Sequence, residues 1–131
     1  MVCRRSLLHY VGTATLGVLG WTATAGISAA APPPQEQTRI DKLIRHVEMQ
    51  KGMRFVRNGT DYSCEDAARF LRGKMESMGS EVTTARDFID RIATRSSMSG
   101  KPYHVRFSDG RLIPAAQFLG DELKRLEAAS P

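Results

Sequence analysis

The chain has 131 residues, enough for one ordinary domain, and 19 basic against 14 acidic side chains give it a formal charge of +5. The two signs are interleaved along the sequence, and no Lys/Arg run alternates with aromatics, so the footprint of a nucleic-acid binder is absent. With only Cys3 and Cys64 there is no disulfide framework.

The N-terminus reads as an export signal. Arg4 and Arg5 form a positive start, Leu7 to Ile27 an apolar stretch diluted by Gly and Thr, and Ser28-Ala29-Ala30 a small-residue cleavage site. Cleavage after Ala30 removes Cys3 and leaves a mildly basic mature chain of about 100 residues with Cys64 as its single thiol. The paired arginines ahead of a weakly hydrophobic segment resemble a twin-arginine signal, with Cys3 and His9 departing from the usual pattern. The general secretory route stays open. An uncleaved anchor is the competing reading, because the apolar stretch is long enough to span a bilayer. The expected organisation is a signal peptide over 1–30, a Pro-rich spacer over 31–37 and a single domain over 38–129. The expected location is the periplasm, with no membrane contact after cleavage.

Beyond the spacer, Ile40, Leu43, Ile44 and Val47 recur at helical spacing, predicting a helix from about Gln35 to Lys51 that Gly52 stops. "RFVRNGTDYS" alternates on either side of Asn58-Gly59, a pair in which both residues tolerate positive φ, and reads as a hairpin. Ser63 caps a second helix, with Asp66 as its capping-box partner and Ala67, Phe70, Leu71, Lys74, Met75 and Met78 on one face. A third helix opens at Thr84, with Asp87 three residues on and Ala85, Phe88, Ile89 and Ile92 turned inward. "KPYHVRF", Asp109-Gly110 and Arg111 to Ile113 form a second hairpin. Pro114, in a first helical position, begins a last helix with Ala115, Phe118, Leu119, Leu123 and Leu126 inward.

"VRNGTDYSCEDAARFL" and "RFSDGRLIPAAQFL" share this hairpin-then-helix order, a weak internal repeat. Neither unit covers its own apolar face, so two of them are expected to bury it against each other. The fold class is therefore α+β: a small antiparallel sheet of two hairpins, three to four strands, with about four helices packed on it.

The segments "FVRNGTDYS", "AARFLRGK", "ARDFIDRIATRSSMSGKPYHV" and "FLGDELKRL", in that order behind an export signal, resemble the YfeK-like family of small exported bacterial proteins of unknown function. The likeness covers essentially the whole mature chain and implies a periplasmic protein with no established activity to carry over. It also implies cysteines at the positions of Met53 and Phe107, where this sequence has neither; an apolar contact between those two residues would replace a covalent tie between the hairpins.

"SMSGKPYH" has the Ser-Gly-Lys core of a phosphate loop, but with one Gly, with Pro after the Lys, and after a helix instead of before one. Gly100 as a left-handed helix terminator, with Pro102 holding Lys101 extended, accounts for it better. A milder reading gathers Arg57, Asn58, Tyr62, Lys74, Ser97, Lys101 and Tyr103 on one rim able to hold a small anionic or saccharide ligand. The alternative is that these residues satisfy turns and flank the sheet. Cys64 with His104 or His46 is the available nucleophile and base pairing, without an orienting acid. His46, Met49 and Met53, or Met75 and Met78, offer soft ligands to Cu(I) but equally serve as core filling.

These readings point to a non-catalytic binding or protein-interaction module that needs no cofactor or metal. Its partner is expected to be an unidentified protein or a small anionic ligand, not nucleic acid. A small periplasmic enzyme using the polar rim or Cys64 is the alternative.

Overall fold

A computed structural model describes residues 31–130. The expected signal peptide lies outside them.

Helix α1, Pro34–Glu48, starts inside the stretch read as spacer because proline is well suited to a first turn, where its missing N–H leaves nothing unpaired. It ends three residues earlier than its periodicity predicts, and the chain reverses through Gly52 at φ 72. Strands β1, Arg54–Arg57, and β2, Thr60–Tyr62, follow, joined by Asn58 and Gly59 at φ 51 and 77, the mirror-image turn whose twist suits a tight hairpin. Helix α2, Cys64–Met78, is capped by Ser63, whose hydroxyl accepts from Asp66 N at 3.1 Å. The Asp66 carboxylate does not close the reciprocal half of the box; it pairs with Arg69.

The third helix departs most from expectation. Thr84 caps it, accepting from Asp87 N at 3.0 Å, but only Ala85–Asp87, helix α3, is α-helical. Phe88–Ala93 winds as a π-helix, with Phe88, Ile89, Ile92 and Ala93 all buried. Its wider winding frees carbonyls that side chains satisfy, Thr94 Oγ1 donating to Ile89 O and Lys74 Nζ to Ile92 O. Glu36 of α1 reaches the start of this segment, accepting from Ala85 N at 2.7 Å. Strands β3, His104–Arg106, and β4, Leu112–Pro114, then lead into α4, Ala115–Ala129. Pro114 precedes α4 with extended ψ 137 and pairs with His104 in the sheet, so it ends a strand instead of occupying the first helical position.

The fold is α+β, with a four-stranded antiparallel sheet in the order β2-β1-β3-β4. That order is symmetric about the β1–β3 contact, where Phe55 faces Val105, so each half is a hairpin followed by a helix, as the internal repeat predicts. One sheet face carries Phe55, Tyr103 and Val105 into a core shared with Leu43, Val47, Leu71, Phe88, Ile89 and Leu119. Phe70 and Phe118, the matching aromatics of the two repeats, pack half-buried against that core. The register that sets Arg54 opposite Arg106 brings Met53 and Phe107 to facing positions at its end, and both belong to the core assembly. Met78, expected inward, is half exposed at the end of α2.

Candidate functional site

Between the last turns of α2, residues 96–98 and the end of β1 lies a cavity of about 420 Å³, lined by Arg57, Phe70, Gly73, Lys74, Ser77, Met78, Ser96, Ser97, Met98 and Tyr103. No acidic side chain lines it. A second cavity of about 210 Å³, formed by Phe55, Tyr62, Asp66 and Ala67, adjoins it, with Arg57 and Phe70 lining both. The Arg57 guanidinium sits 4.5 Å from the Phe70 ring centroid. Among the described residues, Arg57 is in no salt bridge and its buried Nε has no hydrogen-bond partner.

Lys74 is the opposite case. Its exposure is 7% and its ammonium donates to Ile92 O at 2.8 Å, Arg95 O at 2.8 Å and Tyr103 Oη at 3.3 Å. Three N–H donors meet three acceptors, so Lys74 closes the end of the π-helix and has no donor left for a ligand. Burial, reinforced by the nearby Arg57 charge, holds its pKa below the usual lysine range. Burial likewise raises that of Tyr103, with the charge of Arg57 and its hydrogen-bonding contact to the phenol acting in the opposite sense.

The rim expected from the sequence is therefore brought together in part. Arg57, Lys74, Ser97 and Tyr103 line one cavity, and Tyr62 lines the adjoining one with Arg57. Asn58 Oδ1 accepts from Ser99 Oγ at 2.6 Å, tying the first hairpin to the loop after the π-helix. The Lys101 side chain is exposed and lines neither cavity. Phe70 and Met78, expected in the core, and Gly73, Ser77, Ser96 and Met98 line the cavity without having been placed on the rim. Gly73 was visible as a glycine in mid-helix, where it weakens the helix without serving as a cap.

The loop "SMSGKPYH" is not a phosphate cradle. Gly100, at φ 70, donates to Ser96 O at 2.9 Å, Ser99 N to Ser96 Oγ at 3.4 Å and Lys101 N to Ser99 Oγ at 3.3 Å. These amides are bonded within the loop and do not converge outward.

Cys64 is 4% exposed, its Sγ donates to Met53 O at 3.2 Å, and burial raises its pKa, with Glu65 adding to the effect. The cavity beside it holds no histidine, so the pairing with His46 or His104 is not formed. His46 instead stacks on Phe118, ring centroids 5.0 Å apart, with Nε2 3.7 Å from the Glu122 carboxylate. Of the first soft-ligand set, Met53 is in the core and Met49 is on the surface. Among the described residues, no three His, Cys, Asp or Glu side chains cluster as metal ligands, and no helix is long and apolar enough to cross a membrane.

Residues 34–127 match the model of a family described as a family of unknown function, DUF5329. A relative from Salmonella typhimurium, strain LT2, named uncharacterized protein YfeK, is 40% identical over 68 residues, a match that spans 52% of this chain and 57% of the relative. No solved structure is a significant match. The YfeK-like resemblance is thus met in both findings, and the chain belongs to DUF5329, a family of unknown function.

Proposed function

We propose that the protein is a non-catalytic binding module that holds an anionic group of its partner at Arg57, in the groove between α2 and residues 96–98. The observation that carries this is an Arg57 guanidinium with no counter-charge among the described residues and an unbonded buried Nε, in a groove without an acid. A cation held half-buried on an aromatic face, uncompensated by any acid among the described residues and with its Nε–H unused, favours a carboxylate that can accept two of its N–H bonds. The remaining lining suits an apolar body: Phe70, Met78 and Met98, the last 94% exposed, flank the serine hydroxyls. Thioethers adapt to irregular partners.

Gly73 supports the same reading. A mid-helix glycine costs about 1 kcal/mol relative to alanine. Close packing usually accounts for one, yet a Cβ at Gly73 would meet no atom within 4 Å. What the missing side chain does is keep the groove wall open.

An export signal on a chain of this size agrees with action in the periplasm. Peptide mapping of the protein isolated from that compartment, with Ala31 as the expected first residue, checks it.

Arylalkyl carboxylates, phenylacetate and phenylbutyrate, serve as probes in an NMR titration of the ¹⁵N-labelled protein. Saturable shifts are expected at the Gly73, Ser77 and Ser97 amides and at Arg57 Nε–H, weakened at least tenfold by Arg57→Gln or by Gly73→Met, which fills the groove. Shifts that persist unchanged in both variants would remove Arg57 and the groove from the reading.

A further inference from the structure

The two outer strands of the sheet differ in a way that bears on the partner. β4 carries Pro114, which has no N–H to offer another chain. β2 is equally short but all three of its residues are exposed. Arg57 and Thr60 close a two-residue turn and so bond to each other; alternation along the hairpin then turns the N–H and C=O of Asp61 away from β1, toward open solvent. The Asp61 side chain lies on the far face of the sheet, paired with Arg106 at 3.3 Å, so its charge is already met.

Thr60 and Tyr62 flank Asp61 and share the other face, the one α2 covers, with Arg57 and Phe55 opposite them. The Phe55–Ala67–Phe70 cavity opens beside Tyr62, and Asp66, which also lines it, is paired with Arg69. A backbone laid beside β2 places its inward side chains two residues apart, one level with Tyr62 at this cavity and the next level with Thr60. The second position is two strand spacings from Arg57, about 10 Å, within the combined reach of an arginine and an acidic side chain.

We propose that an extended peptide segment of the partner joins the sheet as a fifth strand antiparallel to β2, pairing its backbone with Asp61 and presenting, in N-to-C order, an apolar residue to the Phe55–Ala67–Phe70 cavity, any residue, and an acidic residue to Arg57. This rests on the reading of Arg57 as an anion anchor and names the partner as a peptide. Backbone bonds at the edge give affinity, and alternate side chains give selectivity.

The test is panning of a phage-displayed random heptapeptide library against protein purified from cells expressing the full chain. Synthetic copies of the enriched peptides are then measured by fluorescence anisotropy. An apolar-x-Asp/Glu pattern is expected. Binding should fall at least tenfold with Asp61→Pro and stay within twofold with Asp61→Ala, which keeps the backbone donor. Should Asp61→Pro fold poorly by circular dichroism, N-methylation of the peptide's middle residue removes the same bond from the other side and should cost the same tenfold. Enrichment without the pattern, or N-methylated peptides that bind as well as unmodified ones, overturns the strand-addition proposal; if Arg57→Gln still abolishes binding, the anion anchor stands without it. Binding lost on N-methylation but indifferent to Arg57→Gln overturns the anchor instead. A concentration-dependent dimer in sedimentation that Asp61→Pro abolishes assigns the edge to a second copy and also overturns the proposal.

Discussion

Glu122 and Lys74 are each 7% exposed, on different helices, and both are fully engaged. On the α1–α4 side, Glu122 is bonded by the Arg125 guanidinium and faces His46, while on the α2 side Lys74 is bonded by two carbonyls and a phenol. Arg57 lies along the wall from Lys74, and its guanidinium has no carboxylate among the described residues and keeps a buried Nε without an acceptor. A charge taken out of water is tolerable when its partners come with it. Glu122 and Lys74 are thereby explained as structure, and Arg57 is the cation that the fold leaves to something else.

The sharpest break of that contrast is Lys74→Met, which keeps the stem and strands three acceptors. Unfolding by urea should show a loss of about 2–4 kcal/mol, from unmet buried carbonyls. A loss below about 1 kcal/mol would mean the end of the π-helix does not depend on this side chain.

Glu122→Gln should cost less, about 1 kcal/mol, because Arg125 is largely exposed and water replaces its partner. The same residue sets a pH dependence. The Arg125 hydrogen bonds, outweighing burial and helped by the His46 and Arg125 charges, hold the Glu122 carboxyl below the ordinary carboxylate range. A depressed folded-state pKa stabilises the fold above the unfolded value and loses that contribution as pH falls through the folded one. Wild type should therefore lose stability below about pH 4.5 more steeply than Glu122→Gln in matched thermal melts.

Changes in the groove should move stability least and in the other direction. Gly73→Ala should raise it by about 0.5–1 kcal/mol, by helix propensity alone. Arg57→Gln should leave it within about 0.5 kcal/mol, losing a stacking contact while relieving an unbonded buried N–H. A large loss from Arg57→Gln would place Arg57 with Lys74 and Glu122 and erase the contrast.

Local chemistry made much of this architecture legible. Asn58-Gly59 demands positive φ, Ser63 and Thr84 are good caps, and the repeated hairpin–helix order announces two units that share one core, though not which strands stand at the centre of the sheet. Periodicity placed Lys74 on the inward face of α2 but gave no sign of which acceptors would meet it, since these come from carbonyls eighteen and twenty-one residues away. The π-helix was hidden for a related reason. Phe88, Ile89 and Ile92 fit an α-helical stripe equally well, and the wider winding shows only once Thr94 and Lys74 bond its carbonyls. Four of the seven rim residues line one cavity because β1, α2 and the loop from 96 converge there. Lys101 falls outside it because the closed loop around Gly100 leaves its side chain exposed away from the lining.

The three-way clasp of the Lys74 ammonium also makes that amine a reporter on folding. Its three protons are engaged inside the protein, and an acylating reagent can reach the nitrogen only after the clasp opens. Surface amines such as Lys51 and Lys101 should react at once, whereas the labelling rate at Lys74 should follow the opening of the segment that carries the groove's outer lip, and should slow when a ligand seals it.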